Sequence, residues 1–170
     1  MRTTKFNDGT SIEKISNPIK WKKSTKGAYC AYDSSEVYVS TYGYLYNWHI
    51  ATSAIIAPAT GGWRVPNEDD WNKLITFVGG SEKAGYKLKA NTGWHSGFGD
   101  DQYGFFAVPS GINQDGKFTG IGYMVSFWSQ TGKDNTSAWC QEMSHTNEMC
   151  LKQSRPKHAG LSIRLVRDRK

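Results

Sequence analysis

Apolar positions fall into a clear register between residues 61 and 78. Trp71, Leu74, Ile75 and Val78 recur at i, i+3, i+4 and i+7, which is one face of a helix. The residues in front complete a start signal. Pro66 biases Val65 toward extended backbone. Asn67 is a good N-cap, because its side chain can accept from a free N–H of the first turn. Glu68, Asp69 and Asp70 place negative charge at the positive end of the helix dipole, so the trio reads as a charged helix start rather than a metal site. Gly79-Gly80 ends the helix, since glycine accepts the left-handed conformation that helix ends favour. A second, shorter helix is predicted over 81–89, capped by Ser81. Ala84 and Leu88 would face inward, and Gly85 weakens it by roughly 1 kcal/mol relative to alanine. Residues 61–89 thus form a helical frame, with Trp63 and Trp71 expected to pin it into the core.

Elsewhere the pattern is short and strand-like. Residues 1–27 read as an extended opening, with Ile12, Ile15 and Ile19 as spaced anchors and Asn17-Pro18 as a turn. Trp21 would pack on the body while its lysine neighbours stay wet. A short strand follows over 27–33. The aromatic block 42–51 predicts a short helix beginning near Leu45. His49 within it reads as a hydrogen-bonded core or boundary histidine, since no second metal ligand lies near. Residues 91–104 form a long loop, a feature often functional. Asp100 and Asp101 in it are the candidates for a calcium site, because calcium takes several loop oxygens. Strands are predicted at 104–110 and 122–129, with a turn at 113–116 between them. A hairpin over 137–152 turns near Thr146-Asn147. A basic loop at 154–159 and a closing strand at 161–166 finish the chain. No repeat or linker divides it, so 1–170 is one domain, with 91–168 its loop and strand region.

Composition supports this picture. Seven Trp, 9 Tyr, 7 Phe and 18 Gly against 5 Pro suit short strands and tight loops. No run of ~18 apolar residues is present, so no membrane insertion is expected. The first residues lack the apolar core of a signal peptide. The chain is then not exported by that route, or is a piece of a longer one, or travels in a virus particle. The net charge is +6, with excess at Lys20, Lys22, Lys23 and Lys26 and at Arg164, Arg167, Arg169 and Lys170. No nucleic-acid-binding signature directs that charge, so specific nucleic-acid binding is not expected. Cys30, Cys140 and Cys150 match neither zinc-site nor redox spacing and read as buried free thiols. A Cys140–Cys150 bridge across the hairpin stays open. No nucleophile elbow, zinc helix, Walker loop or dinucleotide fingerprint occurs. Cys140 or Cys150 could pair with His145 or His158 only if the fold brings them together.

A series of motifs runs along nearly the whole chain. They are Lys5-Phe-Asn-Asp-Gly-Thr10, Ala28-Tyr-Cys-Ala-Tyr32, Tyr42-Gly-Tyr-Leu-Tyr-Asn-Trp48, Gly62-Trp-Arg-Val-Pro66, Asp70-Trp71, Gly79-Gly80, Lys87-Leu-Lys89, Gly104-Phe105, Ser129, Ser137-Ala-Trp139 and Ser162-Ile-Arg-Leu-Val-Arg-Asp168. In these the sequence resembles the Fibrobacter succinogenes major paralogous domain, a group within the wider formylglycine-generating-enzyme and C-type-lectin-like fold. The resemblance implies an α+β fold with two main helices, short antiparallel strands and long loops. The family usually has a Cys-Pro before the Gly-Trp and a cysteine in the closing strand. Ala57-Pro58 and Leu165 stand there instead. Their joint absence implies an assembly that does not rely on an oxidising compartment.

The resemblance also separates functions. Formylglycine-generating enzymes work through a closely spaced cysteine pair, which Cys140 and Cys150 do not match. The Glu-Pro-Asn, Gln-Pro-Asp and Trp-Asn-Asp tripeptides of calcium-dependent lectins are missing. What remains is a display scaffold, similar to variable proteins of diversity-generating retroelements. In a hairpin strand, alternate side chains face opposite sides. Trp139, Gln141, Met143 and His145 would share one face, and Cys140, Glu142, Ser144 and Thr146 the other. The implied ligand-binding set is Trp139, Cys140, Glu142, Ser144, Thr146, Asn147, Glu148, Lys152, Ser154, Arg155 and His158. The expected function is non-enzymatic receptor binding or adhesion, on a phage particle or a gut-bacterial surface. The partner would be a protein or glycan on a cell surface. No cofactor is needed beyond calcium, should Asp100 and Asp101 bind it. Homo-oligomerisation or attachment to a larger assembly fits the same role. Two alternatives stand beside it. One is a structural decoration protein docked through the basic N-terminal stretch. The other is a metal-dependent lectin or enzyme of the same fold.

Overall fold

The computed structural model describes residues 1–53, 62–97 and 99–168. Ala57-Pro58, Gly61, Arg169 and Lys170 lie outside the described residues. The fold is α+β. Three sheets carry it. A small one joins β1 (Glu13–Lys14), β2 (Ala28–Cys30) and β3 (Leu45–Tyr46). A ribbon joins β4 (Trp63–Arg64) to β10 (Val166–Arg167). The largest contains β5 (Ser110–Gln114), β6 (Lys117–Ile121), β7 (Met124–Gly132), β8 (Ser137–Ser144) and β9 (Cys150–Pro156), in the order β6-β5-β7-β8-β9. Five α-helices flank them among the described residues: α1 (Pro18–Lys23), α2 (Val39–Tyr42), α3 (Trp48–Ala51), α4 (Glu68–Phe77) and α5 (Ser81–Leu88).

The predicted frame is present. The Asp70 backbone N–H donates to Asn67 Oδ1 at 3.0 Å, and the Asn67 N–H donates to Asp70 Oδ2 at 2.8 Å. This reciprocal box starts α4. Arg64 Nη2 donates to Asp70 Oδ1 at 2.9 Å and to Asp168 Oδ1 at 2.9 Å. One guanidinium therefore ties the helix start to both strands of the β4–β10 ribbon. Its hydrogen bonding holds the Asp70 carboxyl below the usual carboxylate range. Trp71 and Val78 are buried as the periodicity requires, with Leu74 and Ile75 packed beside them. Trp63 departs from expectation. It is 40% exposed on the ribbon, and Trp71 alone of the two reaches the core. Ser81 also departs: Gly80 occupies the N-cap position of α5, without a side-chain cap.

The large sheet is covered on both faces, at opposite ends. Val125, Phe127, Met143 and Cys150 pack against Trp71, Val78, Ala84 and Leu88 of the helices. From the other face, Trp128, Ala138 and Cys140 pack against Tyr46, Ile50, Ala51 and Leu161. Trp128 is fully buried, and its Nε1 donates to the Tyr46 carbonyl at 2.8 Å. Ile15, Trp21, Ala28, Cys30 and Leu45 form a third cluster.

Several expectations are corrected. Residues 1–27 are not extended throughout, because Pro18–Lys23 is helical. Asn17 accepts from the Lys20 N–H at 2.9 Å, and Pro18 takes the first helical position, which its fixed φ suits. Within 42–51, Leu45–Tyr46 pairs with β2 and the helix begins only at Trp48. Residues 104–109 are not a strand, apart from an Ala107 bridge to Lys89. Phe106 takes a left-handed backbone with φ 54°, and Asp101 Oδ1 accepts its N–H at 2.6 Å. The turn predicted at 113–116 narrows to Asp115-Gly116, whose φ values of 56° and 82° suit a two-residue hairpin. Residues 154–156 belong to β9 rather than to a basic loop. In the predicted closing strand, Leu161 and Ser162 make single bridges, and the strand proper is Val166–Arg167.

Gly85 has a packing reason. A Cβ built there would lie 2.2 Å from the Met149 carbonyl oxygen, so α5 meets the hairpin backbone to backbone. Gly85→Ala should therefore destabilise the fold by about 1–3 kcal/mol, although alanine is the better helix former. Urea unfolding of the variant measures this. A gain in stability would mean that the helix does not approach so closely.

Candidate functional site

The hairpin β8–β9 is the predicted site, and it is in regular register from Ser137↔Pro156 to Met143↔Cys150. Its two ends differ. The turn end is braced from beneath. Lys89 is buried, and its ammonium donates to the carbonyls of Ser144 at 3.1 Å and Asn147 at 2.8 Å. It also lies 5.0 Å from the Trp94 ring centroid, a cation–π distance. Burial pushes its pKa down. The loop after α5 presses close too, since a Cβ on Gly97 would lie 2.1 Å from the His145 carbonyl oxygen. Turn side chains satisfy one another. Ser144 Oγ and Thr146 Oγ1 are 3.0 Å apart, Asn147 Oδ1 accepts from the Met149 N–H at 2.9 Å, and Glu148 pairs with Lys83 at 2.8 Å. The rings of His95, Tyr123 and His145 close the flank, with centroids 4.7 to 5.7 Å apart.

On the strands, the predicted faces hold, and one site residue is corrected. Cys140 shares its face with Glu142 and Ser144 but is closed to a ligand. It is fully buried beside Trp128 and Ala138, because that face of the sheet is covered at this end. Further along the same face, Glu142 accepts from Ser126 Oγ at 2.9 Å and pairs with Arg155. The opposite face carries Trp139, half-buried, with Lys152 Nζ 4.1 Å and Lys133 Nζ 5.1 Å from its ring centroid. Lys133 Nζ donates to Ser154 Oγ at 3.2 Å. Lys152 Nζ lies 2.7 Å from Glu68 Oε2, an ion pair not aligned as a hydrogen bond.

The open end of the hairpin borders a cleft of about 670 Å³. Lys22 and Lys23 of α1 form one side, and Arg155, Lys157 and His158 the other, with His49 between. His158 Nε2 is 2.9 Å from Asp115 Oδ1, and Lys22 Nζ is 3.4 Å from the same oxygen. Lys157 Nζ donates to the Asn135 carbonyl at 3.2 Å and sits 4.4 Å from the Trp48 ring centroid. Burial, and then the charge of Lys157, push the His49 pKa down. Sequence reasoning placed Ser154, Arg155 and His158 here. It missed the approach of Lys22, Lys23 and His49. The available signal was an asparagine cap followed by proline, which also starts helices.

The remaining candidates are accounted for individually. Asp100 Oδ1 accepts from the Gln102 N–H at 3.2 Å, and Asp101 Oδ1 holds the Phe106 N–H. Both carboxylates thus cap loop backbone. No cluster of three or more His, Cys, Asp or Glu suited to a metal occurs among the described residues. The three thiols are free and buried, and burial pushes each up to about 12, so at neutral pH they are protonated. Cys140 and Cys150 lie on opposite faces, because Met143 is the residue opposite Cys150. His145 Nδ1 is 2.8 Å from Ser96 Oγ. No helix among the described residues is long and apolar enough to cross a membrane.

A family model described as the Fibrobacter succinogenes major domain matches residues 1–167. The chain belongs to that family. No curated protein and no solved structure matches it. In this Fibrobacter succinogenes major domain, the shared motifs have structural work. Arg64, Asp70 and Asp168 lock the ribbon to α4, Trp71 fills the core, and Lys89 supports the hairpin turn.

Two outcomes follow for the domain. Lys89→Met leaves the Ser144 and Asn147 carbonyls without their donor, and should cost about 1–3 kcal/mol while speeding amide exchange in the turn. Unchanged exchange at residues 144–149 would refute the bracing role. The thiols make stability fall in alkali. Their folded pKa is about 12, against about 8.5 when unfolded. The native state therefore keeps protons that the unfolded chain loses. That contribution is complete below about pH 8.5 and is lost as pH rises toward 12, by up to about 1.4 kcal/mol per pH unit for each thiol. Cys150→Ala should flatten the decline between pH 9 and 10 by roughly that slope. An unaltered slope in pH-dependent urea unfolding would overturn the assignment.

Proposed function

We propose that this domain is a non-enzymatic binding module that offers the β8–β9 hairpin to a protein or glycan receptor on a cell surface. Its setting would be a phage particle or a gut-bacterial surface protein. The observation that carries the reading is the division of the hairpin. The turn end is locked by Lys89, Gly97 and internal hydrogen bonds. The strand end turns Trp139, Lys152, Ser154 and Arg155 toward solvent or the cleft. A fixed base with adjustable outward side chains is what a display scaffold needs, and preorganisation lowers the ordering cost of binding. The reading includes a C-type-lectin-like architecture and the display role of retroelement variable proteins. The protonated, buried thiols support binding rather than nucleophilic chemistry. The capping work of Asp100 and Asp101 supports recognition without calcium.

This reading narrows the site. Of the predicted set, Trp139, Lys152, Ser154, Arg155 and His158 are the recognition candidates. Ser144, Thr146, Asn147 and Glu148 hold the turn, Glu142 orients Arg155, and Cys140 belongs to the core. A screen of bacterial cells and immobilised glycans tests it. Trp139→Ala and Lys152→Ala should weaken retention by about tenfold or more, as loss of central aromatic and cationic contacts does. Thr146→Ala and Glu148→Ala should stay within about twofold, and chelation of calcium should change nothing. Unaltered retention in both strand variants would sink the site.

A further inference from the structure

We infer that the cleft at the open end of the hairpin is a subsite for a short anionic oligosaccharide, one carrying sulfate or carboxylate groups. The inference rests on the reading of the domain as a binding module and adds the class of ligand. Size comes first. About 670 Å³ lies within the range of pockets that enclose a small organic ligand.

Charge comes next. Among the described residues, four lysine and arginine side chains line the cleft and no aspartate or glutamate does. The carboxylates of Asp115 and Glu142, which are not among the lining residues, pair with Lys22 and Arg155, and that of Asp134 accepts from Thr136 and Ser137. Lys23 and Lys157 have no carboxylate partner among the described residues. Lys157 uses one of its three donors on Asn135, which leaves two for a ligand.

The rest of the lining selects among anions. Thr25, Asn135, Thr136 and Ser137 also line it; the Thr136 and Ser137 hydroxyls donate to Asp134 and keep lone pairs that accept from sugar hydroxyls. Among the described residues no Trp, Tyr or Phe lines the cleft, and Lys157 Nζ sits over the ring of nearby Trp48. Single-stranded nucleic acid binds through stacking on aromatic rings, and the cleft offers no such platform. An acidic sugar needs charge and hydroxyl partners, and both are present.

Titration calorimetry on the whole chain tests this with a sulfated heparin-type tetrasaccharide, uncharged cellotetraose and an eight-residue oligothymidylate. The sulfated sugar should bind at least about tenfold tighter than the other two, and weaken as salt screens the lysines. Lys23→Gln/Lys157→Gln should lose about tenfold or more. Lys5→Gln/Lys73→Gln, with the same change in net charge on exposed positions away from the cleft, should lose less than about twofold. Melting temperatures confirm that both double variants are folded. Equal losses in the two double variants, equal binding of the oligonucleotide, or no binding of the sulfated sugar would each overturn the inference. Cell retention separates this from the broader reading. If the sugar fails but Trp139→Ala still abolishes retention, only the cleft assignment falls. If the cleft variant loses the sugar while the Trp139 and Lys152 variants retain cells normally, the cleft stands and the strand-face site falls.

Discussion

Burial of β7 on both faces is the constraint on which the remaining structure depends. Trp128 points into one core, and Val125 and Phe127 into the other. Both cores must therefore be completed by neighbours that alternate in the same way. β8 inherits this from its register with β7: Cys140 follows Trp128 and Met143 follows Val125. The two cores cover opposite ends of the sheet. Neither face of β8 is consequently inward or outward along its whole length. Solvent meets Trp139 on one side at one end, and Glu142 and Ser144 on the other side at the other end. The chemistry the hairpin can offer is fixed by where the cores stop.

Polar groups hold the pieces that apolar packing leaves loose. Arg64 joins a helix start to a ribbon whose strands come from distant parts of the chain. Charge-assisted, forked contacts of this kind specify geometry as well as adding energy. Lys89 performs the parallel task at the other end of the frame, where a buried ammonium meets two carbonyls and an aromatic ring instead of a carboxylate. A carboxylate there would cancel the charge, but a turn needs donors for its carbonyls. The ammonium supplies two at once.

Legibility in the sequence followed the range of the interactions. α4 could be read because its cap, charge and apolar stripe are all local to residues 67–80. The hairpin could be read for the same reason, including its turn near Thr146-Asn147. α1 was missed because Asn17-Pro18 serves equally as a turn and as a cap with proline at the first position, and the expected burial of Trp21 suits either. The burial of Cys140 was missed as a bar to ligand binding because alternation shows which side chains share a face, not where along that face a second core covers it. Trp63 looked like a core residue by type, yet the ribbon holding it lies at the surface. The cleft was invisible for a further reason. Its walls come from residues 22–25, 49, 135–137 and 154–158, and no local pattern records that they meet.

The position of β9 has a last consequence. It is the outermost strand of its sheet, and an open strand edge invites another chain to add itself as the next strand. Here features before, within and at the end of that strand work against such pairing. At its start, α5 lies close enough for Gly85 to sit against Met149, and the Tyr86 N–H donates to the Glu148 carbonyl. Lys152 and Arg155 follow with charge, and Pro156 closes the strand without an N–H to donate. Charge and a proline on the outermost strand therefore work against the addition of another chain through its backbone.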